Sequence, residues 1–144
     1  MKIGVPAEVK NNEHRVGLTP ESVKTLSDLG HQLFVESSAG HAIGFTNQLY
    51  ESSGAQIIDS ASDVFKLSDL IIKVKEPVES ELQFLRKDLA LFTYLHLAGD
   101  PKQAKRLLET GVTGIAYETV TADDGSLPLL APMSAIAGQL GVVV

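Results

Sequence analysis

The chain contains no cysteine, which excludes both a disulfide framework and thiolate zinc sites. No apolar run approaches the ~18 residues that a membrane-spanning helix needs. Lys and Arg number 12 against 18 Asp and Glu, a net charge of −6, and they form no basic block. That balance argues against general nucleic-acid binding. No two histidines have metal-ligand spacing, so no metal site is expected. The dinucleotide fingerprint G-x-G-x-x-G is also missing. The runs Gly40 to Gly44 and Gly111 to Gly114 have the wrong spacing for it. Met1 to Val5 passes at once into Pro6 and charge, unlike a secretory signal. A small ligand and a cytoplasmic setting are the expectation.

What is present is ordinary for one globular domain: 144 residues, 44% apolar and 21% charged. A chain of this size buries roughly 70% of its unfolded surface. Short apolar runs alternate with helical segments. Strands are predicted at Ile3 to Val5, His31 to Glu36, Ala55 to Ile58, Leu70 to Lys75, Leu89 to Leu95 and Val112 to Tyr117. Helix signals lie between them. Thr19-Pro20 and Asp100-Pro101 open helices closed by Gly30 and Gly111, and Thr46 opens one closed by Gly54. Ala61 to Leu67 reads as a short helix. On the helix after Asp100, Ala104, Leu107 and Leu108 are expected on the inner face. Asp123-Asp124-Gly125-Ser126 is a turn, and Pro132 starts a last helix with Ala135, Ile136, Ala137 and Leu140 as its apolar positions. The alternation predicts an α/β fold, a flavodoxin-like, mostly parallel sheet flanked by helices. Gly141-Val142-Val143-Val144 closes the sequence without cap or charge, which reads as a fragment boundary whose last residues fray or pair with another copy.

In such sheets ligands bind beyond the carboxyl ends of the strands. Three groups fall there: Arg15 after the first strand, Lys75 ending the fourth and His96 after the fifth. Lys73 and Lys75 share a face with Ile71. Either both emerge at the solvent end of the strand, or one presents its ammonium to a ligand carbonyl or carboxylate. His96, sharing a face with Tyr94, suits acid–base work; alone it could equally be a loop histidine bonded to backbone. Arg15 offers the fork that grips a carboxylate, against a surface ion pair with Glu13 or Glu8. Three such groups on carboxyl-end loops form an anion site with an acid–base group inside it.

Five separated motifs carry a resemblance. They are Gly4 to Glu8 with Asn11 to Pro20; Val35 to Phe45 with Tyr50 and Gly54-Ala55; Lys73-Val74-Lys75-Glu76-Pro77; Tyr94 to Ala98; and Ala131-Pro132-Met133-Ser134 with Ala137-Gly138. On these residues the whole chain resembles the N-terminal part of the alanine dehydrogenase and pyridine-nucleotide transhydrogenase family. The resemblance implies reversible oxidative deamination of L-alanine to pyruvate and ammonia with NAD as cofactor. It implies that Arg15 binds the substrate carboxylate, Lys75 polarises the carbonyl, His96 is the acid–base group and Tyr94 lines the pocket. Met133 and Ser134 are placed near the nicotinamide, and no metal is implied. Residues 1–131 then form an incomplete substrate domain, and residues 132–144 begin the helix toward an absent NAD-binding domain. A homo-oligomer is expected, with no membrane and no nucleic-acid partner, and the 144 residues alone are expected to be inactive. Retention of Lys75 with His96 favours the dehydrogenase branch. The alternatives are a non-catalytic module that binds a 2-oxo acid or only oligomerises, and the N-terminal domain of a transhydrogenase alpha subunit.

Overall fold

The computed structural model describes residues 1–141; Val142 to Val144, expected to fray or pair with another copy, lie outside the described residues. Six strands alternate with helices along the chain. They are β1 (Lys2–Val5), β2 (Gln32–Glu36), β3 (Ala55–Ile58), β4 (Leu70–Ile72), β5 (Ala90–Thr93) and β6 (Thr113–Ala116). The helices are α1 (Pro20–Asp28), α2 (Asn47–Ser52), α3 (Ala61–Leu67), α4 (Glu79–Leu82), α5 (Pro101–Thr110) and α6 (Ala131–Leu140). Every strand pair is parallel, and the spatial order is β3-β2-β1-β4-β5-β6. The predicted parallel sheet is therefore present, and its order reverses at the β1/β4 boundary, where open α/β sheets form their binding crevice.

Local chemistry fixes the helix starts. Thr19 caps α1 by accepting from Ser22 N, with Pro20 in the first turn where its missing N–H costs nothing. Asp100 caps α5 through Lys102 N and Gln103 N, each at 3.0 Å. Gly30, Gly54 and Gly111 take positive φ just past their helices, as their positions in the sequence predicted.

Alternating strand residues build two apolar layers. Ile3, Val5, Leu33, Val35 and Ile72 pack with Val23 of α1 and Tyr50 of α2. Ile71, Leu89, Leu91 and Leu95 pack with Val64 and Phe65 of α3 and Leu107 of α5. Gly4 lies under α3, where a Cβ would meet Ile71 Cδ1 at 2.7 Å and Val64 Cγ1 at 2.9 Å. The Tyr50 hydroxyl, its pKa pushed up to about 12 by burial, donates to Leu18 O at 2.8 Å. That bond pins the end of the loop that carries Arg15.

Two expectations change, and the last helix adds an observation of its own. Leu108 is 81% exposed, because it stands one residue, about 100° of helix, round from buried Leu107. β4 ends at Ile72 although Lys73 N still donates to Phe92 O at 3.1 Å, and Lys73 does not emerge into solvent: its side chain is wholly buried against Glu81. In α6 the positions Ala135, Ile136, Ala137 and Leu140 are exposed, and no residue of that helix is buried.

Candidate active site

Arg15, Lys75, Tyr94 and His96 arrive at the carboxyl end of the sheet from three loops, those following β1, β4 and β5. The first turns of α6 lie against them. A cavity of about 260 Å³ is lined by these four residues together with Leu130, Met133, Ser134 and Ala137. All six residues singled out from the sequence therefore face one space. A larger, more apolar cavity of about 470 Å³ adjoins it, sharing Arg15, Tyr94 and Met133 and bounded by Phe45 and Tyr117.

Arg15 is half-engaged. Glu13 takes one side of its fork, with Nε donating to Oε1 at 2.8 Å and Nη2 to Oε2 at 2.5 Å. The Glu13 oxygen also accepts from Arg15 N at 3.0 Å. Those bonds hold the Glu13 carboxyl far down, at about 2. The ion pair considered as the alternative role for Arg15 thus exists, and it orients the guanidinium rather than consuming it. Among the described residues the other terminal nitrogen, Nη1, has only the Met133 sulfur at 4.0 Å, so fork hydrogens remain for a second carboxylate.

Lys75 stands where the chain leaves the β4 ladder. Its carbonyl accepts from Thr93 Oγ1 at 2.8 Å, and its N–H reaches Glu8 Oε1 at 3.4 Å. Among the described residues its ammonium has no ion-pair partner. Glu8, from the loop after β1, also accepts from Val74 N at 2.6 Å. Burial pushes the Glu8 carboxyl up, partly opposed by Lys73 and by these backbone bonds. Lys10 and Glu76 tie the same two loops together a second time. For Glu76, burial acts upward but is outweighed by the Lys10 hydrogen bond and other contacts, leaving its pKa lowered.

Tyr94 and His96 lie face to face, their rings 5.9 Å apart and 14° from parallel. The Tyr94 hydroxyl donates to Leu129 O at 2.7 Å, which binds the segment before α6 to the site. His96 has φ 48, a left-handed conformation uncommon for a residue with a side chain. Its N–H donates to Glu118 Oε1 at 2.7 Å.

Two carboxylates organise the site in ways not anticipated from the sequence: Glu8, considered only as an ion-pair partner of Arg15, accepts from Val74 N and Lys75 N instead, and Glu118 was not singled out. Glu8 carried a signal, since it closes the Gly4 to Glu8 motif. Glu118 had none, because its partners lie 22 and 23 residues away.

The arrangement offers a guanidinium for a carboxylate, an ammonium for an adjacent oxygen and an imidazole for a proton. Among the described residues no group of three or more His, Cys, Asp or Glu could hold a metal ion. No helix there is long and apolar enough to cross a membrane. Met133 and Ser134 form one rim of the cavity.

Comparison with known proteins gives a consistent picture. The family described as alanine dehydrogenase/PNT, N-terminal domain, matches residues 4–137. The chain is 51% identical over 144 residues to an alanine dehydrogenase of Staphylococcus epidermidis, covering all of this chain and 38% of that protein. A solved L-alanine dehydrogenase superposes with a TM-score of 0.93 at 51% identity, over 97% of this chain and 38% of the other. A transhydrogenase from Sinorhizobium meliloti superposes with a TM-score of 0.76 at 29% identity, over 82% of this chain and 35% of the other. The chain thus spans 38% of the length of curated alanine dehydrogenases that it matches over its full length.

Proposed function

This chain belongs to the alanine dehydrogenase/PNT N-terminal domain family, and from that premise we propose that it is the substrate-binding part of an NAD-dependent L-alanine dehydrogenase. The reaction is L-alanine, NAD and water to pyruvate, ammonia and NADH, and its reverse. Residues 1–131 are assigned as the substrate domain, and the helix from residue 132 leads toward a cofactor domain. The holoprotein is expected to act in the cytoplasm as a homo-oligomer.

One observation carries the reading: Arg15, Lys75, Tyr94 and His96 line the same small cavity as Met133 and Ser134. Arg15 grips the substrate carboxylate through the fork hydrogens that Glu13 leaves open. The Lys75 ammonium faces the neighbouring carbonyl oxygen, where negative charge develops, and stabilises it most as that charge grows. His96 supplies or removes the proton at that oxygen, since an imidazole exchanges protons near neutral pH. The aromatic wall of Tyr94 shuts water from one side. Hydride acceptance is the chemistry that NAD supplies when bound, and Met133 and Ser134 are the residues here that would border its nicotinamide. The 51% identity to alanine dehydrogenases, against 29% to the transhydrogenase, favours amino-acid chemistry.

The test uses the protein translated from the entire reading frame, assayed with L-alanine and NAD by NADH absorbance. Turnover should fall by roughly 10²-fold or more in Lys75→Ala and in His96→Ala. A parent protein without turnover, or substitutions without effect, overturns the assignment.

A further inference from the structure

β5 leaves the parallel ladder at Thr93, and β6 leaves it at Ala116. Past Thr93 the Tyr94 N–H still donates to Val74 O at 3.2 Å, and from Leu95 on the amides need other acceptors. Leu95 is buried, so its N–H cannot simply turn to water. A single side chain meets the need. Glu118, two residues past β6, accepts from Leu95 N at 3.1 Å through Oε1 and 3.2 Å through Oε2. The same Oε1 accepts from His96 N at 2.7 Å.

Glu118 is itself aimed. It sits in a 3-10 turn, Tyr117–Thr119, whose Tyr117 packs on Phe92 at 4.2 Å and on Tyr94 at 5.0 Å between ring centroids. Thr119 closes the turn by donating to Ala116 O at 3.1 Å. The carboxylate therefore reaches back from a packed platform to the one place in the β5 loop where φ turns positive, at His96. A residue with a Cβ holds that conformation only when its surroundings fix it. Here the fixing contact is a charge-assisted hydrogen bond to the residue's own N–H. With that backbone turned, the imidazole lies flat against Tyr94 on the cavity wall.

We propose that Glu118 is a positioning residue: by clamping the Leu95 and His96 amides it holds His96 in the left-handed turn that stacks its ring on Tyr94 and presents it to the cavity. The proposal rests on the assignment of His96 as the acid–base group. Glu118 does not line the cavity, so its loss acts through His96 geometry.

Two variants separate this from a purely structural strand clamp. E118Q keeps an amide oxygen in place of Oε1, and E118M keeps the length without a strong acceptor. In the whole-frame enzyme, E118M is expected to lower kcat by roughly 10- to 100-fold, the cost of a misplaced group, with the pyruvate KM held within about twofold. E118Q should recover most of the loss. On the 144-residue chain, NMR reads the geometry without any turnover. E118M should move the His96 ring signals as the Tyr94 stack is lost, and E118Q should leave them near their parental positions. In the unsubstituted chain, the Leu95 and His96 amide signals should shift together as carboxylates are protonated, which keeps the test available if E118M does not fold. Unmoved His96 ring signals in folded E118M, or amides indifferent to acidification, overturn the proposal. An active parent whose E118M variant keeps its kcat does the same. An inactive parent in which E118M still moves the His96 ring defeats the dehydrogenase assignment but leaves the positioning role standing.

Discussion

The Lys73 ammonium lies 2.6 Å from a carboxylate oxygen of Glu81, and neither side chain reaches solvent. Glu81 spends its other oxygen on Val78 N at 2.9 Å, and Glu8 Oε2, without a hydrogen-bond partner, stands 3.6 Å from the same ammonium. One buried cation therefore serves two buried carboxylates. Lys73→Met removes it and strands them, an uncompensated burial that should destabilise the fold by roughly 3–5 kcal/mol. Removing Glu81 as well, in K73M/E81L, takes away one of the two stranded carboxylates and should restore part of that loss, while Glu8 stays buried without its cation. Urea midpoints of the two variants check this; equal destabilisation in both would deny the pair its role.

Acid stability should report the Arg15–Glu13 pair. The Arg15 hydrogen bonds lower the Glu13 pKa from 4.5 to about 2. A depressed carboxyl contributes stability that is present above its unfolded pKa and lost as pH falls through its folded one. The loss attributable to Glu13 therefore falls between pH 4.5 and pH 2. Glu8 and Glu36, both raised by burial, act in the opposite sense: their contribution is present in acid and lost as pH rises through their folded values. E13Q should flatten the acid side of the stability curve in that window. Urea midpoints from about pH 5 to about pH 2 measure it, and a slope equal to the parent's removes Glu13 from the account.

The strands and helix caps were legible because their signals are local. Thr19-Pro20, Asp100-Pro101 and the β-branched run at Leu70 to Ile72 each declare themselves within a few residues. Arg15, Lys75 and His96 were legible as a group because strand ends in a parallel sheet share one edge. The burial of Lys73 was not, since the partner that makes it tolerable, Glu81, comes from the short helix α4, which was not anticipated. Glu118 was hidden for the same reason at longer range: nothing near it in sequence shows that its carboxylate ends at the His96 amide. The exposure of Leu108 beside buried Leu107 shows the other limit, a helix whose apolar stripe is one residue narrower than its composition suggests.

The loop that carries Arg15 depends on a close backbone approach. A Cβ on Gly17 would meet the Ile72 carbonyl carbon at 2.7 Å and Lys73 N at 3.1 Å, backbone atoms that have no rotamer in which to escape. Gly17→Ala should destabilise the fold by about 1–3 kcal/mol, the usual cost of overpacking. It should also push the Arg15 loop away from the end of β4. Thermal unfolding gives the first effect, and NMR shifts at Arg15 and Lys75 give the second. A variant as stable as the parent, with both signals unmoved, would show that the loop does not rest on β4 as described.

The 144-residue chain by itself should bind pyruvate without oxidising alanine. The binding half rests on Arg15, which lines the cavity and whose Nη1, among the described residues, has only the Met133 sulfur as a partner. Pyruvate should therefore shift the NMR signals of Arg15 and Lys75, and Arg15→Ala should abolish the shift at Lys75. The catalytic half rests on what holds a cofactor. Hydride transfer requires donor and acceptor carbons about 3–3.5 Å apart, and such placement supplies roughly 7–11 kcal/mol of the barrier. No G-x-G-x-x-G loop occurs in these residues to seat a pyrophosphate, and Met133 and Ser134 offer only an edge. The assay is purified chain with L-alanine and NAD, followed by NADH absorbance beside the whole-frame protein. Pyruvate-dependent shifts without NADH formation are the expected result. NADH production by a homogeneous preparation would show instead that these residues seat the cofactor themselves, with Met133, Ser134 and the exposed face of α6 as the first places to look for it.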